Sequence, residues 1–552
     1  MQKLELTWIG KNEQPQVEPR ILLHDPSKDY GDPNSQNMLI HGDNLLALKA
    51  LEQEYAGKIK CIYIDPPYNT GSAFEHYDDN LEHSIWLNLM YERLQLLKTL
   101  LTNDGVLAIE IDDNEMPYLR IILDEIFGRT KFVAQVNVRS NSISGPKTAH
   151  KDKTILRNKD NIILYKKGNN ITVHPQYIKK EEWDTHYNYY LEYDSEGNPY
   201  KIVKLKDVLV NSQIITKRET IKKDILNNPS FYNFIISHKK NIFRLVNSIS
   251  SNAKQQSKAH PNTIIKYSDD NGIIRYAYNG SRISLLESSI VSIDNKETFA
   301  QLLGDLWTDI DFQNTQNEGG VSFPNNKKPE ALIRRILNLF TETGDLILDS
   351  FLGSGTTAAV AHKMNRKWIG IELGEHCYTH CIPRLNNIIN GEDPSGISNI
   401  VNWKGGGGYK FYELAPTLIE KDKYGNPIFS GQYNATMLAA AVAKINGFTY
   451  APDKEIYWKQ GYSQGKSYIY VTTQYLTAKQ LDSIASEITD FEQLLICAPA
   501  FDNGLNKRYD NINIRKIPQS VLDKCEFGVE NYNLNIISPP VIDENEWEDE
   551  EE

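Results

Sequence analysis

Nowhere in the 552 residues do eighteen apolar residues run together, which excludes a membrane-spanning helix. The opening MQKLELTWIGKNEQ lacks a basic stretch followed by an apolar one, so no secretory signal is read there and a cytoplasmic protein is expected. Cysteine is scarce. Cys61, Cys377, Cys381, Cys497 and Cys525 make an odd five with no CxxC pair, which argues against a disulfide framework and a thiolate zinc site. Cys377 and Cys381, one helical turn apart, read as small apolar residues of a core. No segment repeats, so a solenoid is excluded. The glycine-rich turn GSGTT at 353–357 has no lysine before its threonines, and it lacks the third glycine of a dinucleotide fingerprint. The first absence argues against phosphoryl transfer from a nucleotide, the second against a dinucleotide fingerprint.

What is present is an ordinary globular composition, 40% hydrophobic and 24% charged, in a chain long enough for about three or four compact units. The net charge of −12 conceals an asymmetry. Residues 131–167 hold nine Lys/Arg against two Asp/Glu, and residues 201–266 hold thirteen against three. The last ten residues, DENEWEDEEE, hold eight acids. A basic centre between acidic ends fits a polyanion docked at one place.

Short apolar runs alternate with amphipathic helical patterns, the mark of a parallel α/β sheet. A strand over 38–41 is followed by HGDN and a helix from about Leu45, capped by Asp43 or Asn44. KCIYI (60–64) is a second strand. SIWLNLMYERLQLLKTLLTNDG is a helix stopped at Asn103-Asp104-Gly105, VLAIEID a third strand, and EMPYLRIILDEIFG another helix. The rhythm breaks between about 169 and 300, where Asn, Lys, Tyr and Ser dominate and turn dipeptides recur. It resumes with KPEALIRRILNLF, DLILDSFLGSGTTAAVAHKM and RKWIGIEL. KGGGG at 404–408 reads as a hinge before a C-terminal domain.

Two stretches carry chemistry. The strand 60–64 ends in DPPY: Pro66 and Pro67 cannot continue a ladder, and Asp65 at the edge of a core needs a partner. Alone, DPPY is also a plain strand-ending turn. The second stretch is strand, glycine turn, helix, strand and then Glu372 at a strand end about twenty residues on. That order suits an adenosine-type ligand, whose ribose an acid grips and whose other end a helix N-terminus receives. S-adenosylmethionine fits it. IDDNE (111–115) reads as a solvated strand end, and no metal is expected.

DPPY followed far downstream by FLGSGT resembles the β class of DNA amino-methyltransferases, in which the catalytic motif precedes the cofactor motif. WLNLMYERLQLLKTLLTNDGVLAIEIDDNE, LTWIGK and HGDNLLALKALEQEYAGKI are similar to stretches of the modification (Mod) subunits of Type III restriction-modification systems. The likeness covers 1–167 and 310–375. Leu352 departs from it, standing where a small residue is usual and crowding the pocket slightly, and so does Asn161, standing where an aromatic is usual.

The resemblance implies a permuted Rossmann-like methyltransferase domain of α/β class with an inserted α+β target-recognition domain and a C-terminal α+β domain. The expected divisions are an N-terminal arm (1–36), a catalytic half (37–168), the target-recognition domain (169–300), a cofactor half (301–400), a C-terminal domain (401–540) and an acidic disordered tail (541–552). Asp65 and the carbonyl of Pro66 would accept the hydrogens of an adenine N6 amine, Pro67 would stiffen the turn, and Tyr68 would stack on the flipped base. Asp349, Phe351, Gly353, Ser354, Gly355 and Thr356 would line the methionine end of S-adenosylmethionine and Glu372 its ribose. Asp43 would lie near its adenine; Lys328 and Pro329 match the motif placed just before the cofactor loop, with Lys328 reaching the cofactor carboxylate. Arg139, Lys147, Lys151, Lys153 and Arg157 would clamp phosphates of double-stranded DNA. A homodimer and a helicase-nuclease (Res-like) partner are also implied. Two alternatives stand beside adenine-N6 transfer: cytosine-N4 transfer by the same geometry, and a DNA-binding specificity subunit with lapsed catalysis.

Overall fold

The alternating apolar runs and helices become one eleven-stranded sheet with helices packed on it. The computed structural model describes residues 5–12, 17–68, 83–141, 155–312, 315–323, 327–421, 423–424 and 426–517. The main strands in chain order are β1 (Leu22–His24), β2 (Met38–His41), β3 (Ile59–Ile64), β4 (Leu101–Ile111), β5 (Phe132–Arg139), β6 (Lys159–Lys166), β7 (Leu306–Trp307), β8 (Leu346–Asp349), β9 (Lys367–Glu372) and β10 (Gly408–Leu414). Across the sheet they run β1-β10-β2-β9-β8-β3-β4-β6-β5-β7, and Tyr30–Gly31 pairs beside β10. The stretch from β10 to β4 is parallel, whereas β1 and β6 run against their neighbours.

The central strands are buried on both faces, which is why they read as unbroken apolar runs. Helices α1 (Asn44–Tyr55), α2 (His83–Leu100) and α3 (Met116–Leu123) share a core with Met38, Ile40, Ile62, Ile64, Ile109 and Leu348. Helices α4 (Glu330–Phe340), α5 (Thr356–Lys363) and α6 (Ile382–Asn390) form a second group, α5 packing against both α4 and α6. Along α4, Leu332, Ile333, Ile336, Leu337 and Phe340 are buried at helical spacing, and its solvent face carries the polar residues between them.

The decisive topological feature is the pairing of β8 with β3. Ile347 stands opposite Cys61 and Leu348 opposite Ile62, so two strands almost three hundred residues apart end together at the same edge. DPPY and the glycine turn thereby leave the sheet side by side, where the strand order reverses.

Pro175–Gly304 forms a compact unit of its own. It holds a six-stranded antiparallel sheet, a three-stranded antiparallel sheet and the helices Leu205–Asn211, Pro229–Ser237 and Ser251–Ala259. Towards the C-terminus a five-stranded sheet runs from Thr449–Tyr450 to Ile512–Lys516, and Ile21, Ala415, Leu418, Val442 and Ile469 share one core.

The structure departs from the sequence reading at five places. Residues 22–31 are not an arm, because β1 and Tyr30–Gly31 both pair with β10. For the same reason 408–414 belongs to the main sheet rather than to a C-terminal domain. KGGGG is not a hinge: Gly406 donates its N–H to the Ile389 carbonyl, and a Cβ on Gly407 would stand 2.8 Å from His362. Asn103–Gly105 does not stop a helix but lies within β4, α2 having ended at Leu100. Leu352 lies over Gly370 of β9, where a Cβ would meet its Cδ2 at 2.7 Å, so the absent side chain there makes its room. The expected tail at 541–552 lies outside the described residues.

Candidate active site

The strand β3 stops at Ile64 because Pro66 and Pro67 have no N–H to offer the ladder. The turn that follows is held from α2, whose Trp86 donates its Nε1–H to the carbonyl of Pro67 at 2.7 Å. That bond falls on Pro67 and so leaves the expected role of the Pro66 carbonyl untouched. Asp65 is half-buried, 22% exposed. Its Oδ2 lies 3.1 Å from Lys328 Nζ, while its Oδ1 is buried with no hydrogen-bond partner among the described residues. Burial pushes the Asp65 carboxyl above the usual carboxylate range, and the ammonium of Lys328 opposes that shift.

Lys328 is the hub of the site. Its Nζ donates to the Tyr68 hydroxyl at 2.8 Å, lies 5.0 Å from the centre of the Tyr68 ring, and stands 3.2 Å from Glu110 Oε1. An ammonium has three protons, and three protein oxygens already stand within its reach. The sequence reading sends Lys328 to a cofactor carboxylate; the structure turns it to Asp65. Glu110 is fully buried near the end of β4 and accepts a hydrogen bond from Tyr63 Oη at 2.5 Å. Burial raises its carboxyl to about 7 and holds the Tyr63 hydroxyl well above its ordinary range, so the tyrosine remains a donor.

At the end of β8 the chain turns through Ser350–Gly355 into α5. Gly353 and Gly355 take left-handed φ values of 56° and 80°, which side chains resist. Asp349 organises this turn: its Oδ1 accepts from Phe351 N at 2.9 Å and its Oδ2 from Thr357 Oγ1 at 2.5 Å. Burial raises the Asp349 carboxyl to about 7, against the pull of those two donors. Glu372 of β9 accepts from Gly353 N at 2.6 Å and from Gly374 N at 2.9 Å, and His376 Nε2 lies 2.8 Å away. Behind the turn, Arg384 of α6 donates to Thr356 Oγ1 at 2.7 Å and to the Ser354 carbonyl at 3.2 Å. Its other nitrogen donates to Glu330 Oε1 at 2.9 Å, and Lys363 bridges Glu330 (2.7 Å) to Asp393 (2.6 Å). Two cations and two anions thus balance inside the core, as buried charges require.

The remaining predicted residues are less central. Asp43 caps α1 by accepting from Leu46 N at 3.0 Å, with Arg93 3.4 Å away. Pro329 precedes the first turn of α4. Arg139 donates to the Thr308 carbonyl at 2.5 Å, and Arg157 pairs with the buried Asp112 at 2.7 Å. Lys147, Lys151 and Lys153 lie outside the described residues. The acids of IDDNE are engaged by protein groups: Asp112 by Arg157, Asp113 by Lys159, and Glu115 by His83. Asn161, the other departure, sits buried between Gln135 and Asp113, a member of the framework.

A family model described as DNA methylase matches residues 59–223 and 201–382, which hold both turns and every residue around Lys328. The chain belongs to that family. Among similar proteins, the Haemophilus influenzae protein named probable type III restriction-modification enzyme HindVI Mod subunit is 36% identical over 413 residues, 69% of this chain and 54% of that one. The type III EcoP15I Mod subunit of Escherichia coli is 25% identical over 491 residues, 76% of this chain and 72% of that one. The type II methyltransferase M.EcaI of Enterobacter cloacae is 29% identical over 342 residues, covering 61% and 66%. The chain spans about half the length of the HindVI relative.

Within this methylase frame, sequence reasoning missed Glu110, Tyr63, Trp86, Thr357 and Arg384. One of them left a trace: Glu110 is the acid inside the apolar run VLAIEI, and a carboxylate in a doubly buried strand requires a charged partner. The other four contribute ordinary donors whose targets depend on the tertiary structure.

Proposed function

We propose that the protein is a site-specific DNA methyltransferase that moves a methyl group from S-adenosylmethionine to the N6 amine of an adenine rotated out of duplex DNA. The observation that carries this reading is the state of Asp65: one oxygen is fixed on Lys328, and the other is buried and unmatched among the described residues, beside a glycine turn at the same sheet edge. A buried acceptor without a donor costs free energy that a bound amine recovers.

The adenine amine is a weak nucleophile because its lone pair is delocalised into the ring. Asp65 Oδ1 and the Pro66 carbonyl accept its two hydrogens and draw the pair back onto nitrogen. Tyr68, steadied by Lys328, stacks on the base and offsets part of the few kcal/mol that unstacking costs. The residues of the glycine turn fit the cofactor. At Gly353 a Cβ would meet only the Phe351 carbonyl oxygen, at 4.0 Å, Ser350 Oγ is buried without a partner among the described residues, and free N–H groups open α5. Asp349, Phe351 and Gly353–Thr356 hold the methionine end, and Glu372 the ribose. When bound, S-adenosylmethionine supplies an electrophilic methyl on a sulfonium, and no side-chain nucleophile is required.

The sheet order supports a permuted Rossmann-like domain, with DPPY upstream of the cofactor turn. The unit Pro175–Gly304 serves as the target-recognition domain. The relatives named as Mod subunits support a Mod-type role, and a cytoplasmic homodimer with a Res-like partner belongs to the same proposal. Purified protein, unmethylated duplex DNA and S-adenosylmethionine, followed by nucleoside mass spectrometry, test the reaction. N6-methyladenine is expected. N4-methylcytosine would keep the mechanism and correct the base, and no methylated nucleoside would favour a DNA-binding subunit without catalysis.

A further inference from the structure

We infer that Glu110 is a positioning residue for methyl transfer: through Lys328 it decides which oxygen of Asp65 is left for the substrate amine. The inference rests on the reading above. Lys328 Nζ stands 3.1 Å from Asp65 Oδ2 and 3.2 Å from Glu110 Oε1, so the two carboxylates share one ammonium. Glu110 is fully buried and is itself fixed by the Tyr63 hydroxyl on its other oxygen. Its backbone belongs to β4, paired in register with β3, so the sheet ladder sets its distance from Asp65. A lysine facing Asp65 alone would be free to centre itself on both carboxylate oxygens. The pull of Glu110 holds it to Oδ2, and Oδ1 stays open.

The charge on Glu110 matters as well as its shape. Without it, the whole ammonium charge falls on Asp65 and weakens that carboxylate as an acceptor. The groups facing Glu110 are Tyr63 and Asp65 from the β3 end, Tyr68 from the turn, Lys328 from the segment before α4, and Asp160 from β6. With its carboxyl raised to about 7 by burial, Glu110 gains its charge across neutral pH.

The test is Glu110→Gln in the full chain, assayed with duplex DNA and S-adenosylmethionine beside the unaltered protein. We expect kcat to fall about tenfold to a hundredfold, as for loss of one partner of a buried ion pair, with cofactor affinity and the KM for DNA within about twofold. In the unaltered protein kcat is expected to rise through neutral pH as Glu110 gains its charge, and to lose that rise in the variant. In a Lys328→Met background the same change costs less than about twofold, because the two act as one unit. Unchanged kcat, a matching loss of cofactor affinity, or full additivity with Lys328→Met would each overturn the inference. Should Glu110→Gln not fold, Tyr63→Phe removes only the hydroxyl behind Glu110 and is expected to lower kcat about threefold; no change in kcat counts against the inference. A readout independent of catalysis separates the two levels: labelling of Lys328 by an amine-reactive ester, followed by peptide mass spectrometry. It should speed up at least about fivefold in Glu110→Gln, because an ammonium that loses an anionic neighbour gives up its proton more readily. A wild-type protein that methylates nothing removes the proposed reaction. Unchanged labelling removes the role of Glu110.

Discussion

Two aspartates, one buried and one half-buried, stand at the ends of two neighbouring parallel strands, and they are used in opposite ways. Asp349, at the end of β8, has both oxygens committed, one to the Phe351 amide and one to the Thr357 hydroxyl. Asp65, at the end of β3, has one oxygen on Lys328 and the other open among the described residues. The first arrangement is that of a residue which shapes a loop, the second that of a residue which waits for a ligand. Between these two aspartates strand position is alike and the difference lies in the unfilled lone pair of Asp65, which leaves an acceptor for a ligand, whereas Asp349 acts on the cofactor turn through the donors it holds.

The largest effect on the contrast between the two aspartates is expected from Asp65→Ala. If the open oxygen is the amine acceptor, methyl transfer falls by at least about a thousandfold, the scale of loss when a residue central to transition-state stabilisation is removed. Cofactor affinity, measured by calorimetry, stays within about twofold. Residual transfer above a few per cent would contradict the role.

Asp349→Ala should show the reverse pattern. It strips the acceptor from two buried donors and loosens the glycine turn, which costs about 2–4 kcal/mol of stability. Cofactor affinity then weakens by about tenfold or more, while any remaining transfer keeps its base specificity. A variant that melts like wild type would show that the turn is shaped by something other than this carboxylate.

A third prediction uses pH. The folded-state carboxyl of Asp349 is raised from 3.8 to about 7, so the folded protein holds this proton where the unfolded chain releases it. Its contribution to stability is present in full below about pH 4 and is lost as pH rises through about 7, at about 1 kcal/mol per unit. Urea denaturation of the cofactor-free protein at pH 5, 6 and 7 should show the decline, and Asp349→Asn should flatten it. A slope untouched by the substitution would assign the decline to other acids, Glu110 first among them.

The smallest effects are expected at the predicted phosphate clamps. Among the described residues Arg139 donates to a backbone carbonyl, whereas Arg157 is tied to a buried aspartate. Arg139→Ala should weaken DNA binding about twofold to fivefold at moderate salt and reduce the salt slope by about one. Arg157→Ala should instead lower the melting temperature, because it strands Asp112 without its cation. Equal effects of both on DNA binding would place Arg157 at the nucleic acid after all.

Local sequence was enough to set much of the frame. The strand at 38–41 and the helix that follows, the arrest of β3 by two prolines, and the glycine turn into α5 follow from side-chain period, missing N–H groups and positive φ, which are properties of a few neighbouring residues. Long-range pairing was not legible in this way. Residues 22–31 look like a polar arm because their partners in 408–414 lie almost four hundred residues away, and 404–408 look like a flexible joint because Gly406 and Gly407 pack on Ile389 and His362, outside the run. Lys328 shows the same limit: its motif marks it as important, but only its placement against Asp65, Glu110 and Tyr68 says to what it points.

That two chemical turns exist, and of what kind, is legible in the chain alone, since a carboxylate before two prolines and a glycine turn before a helix are local facts. Only the tertiary structure decided that they meet. The pairing of β8 with β3 brings the turns to one edge, and the low dielectric of the interior makes Asp65, Lys328 and Glu110 a single charged unit rather than three separate residues.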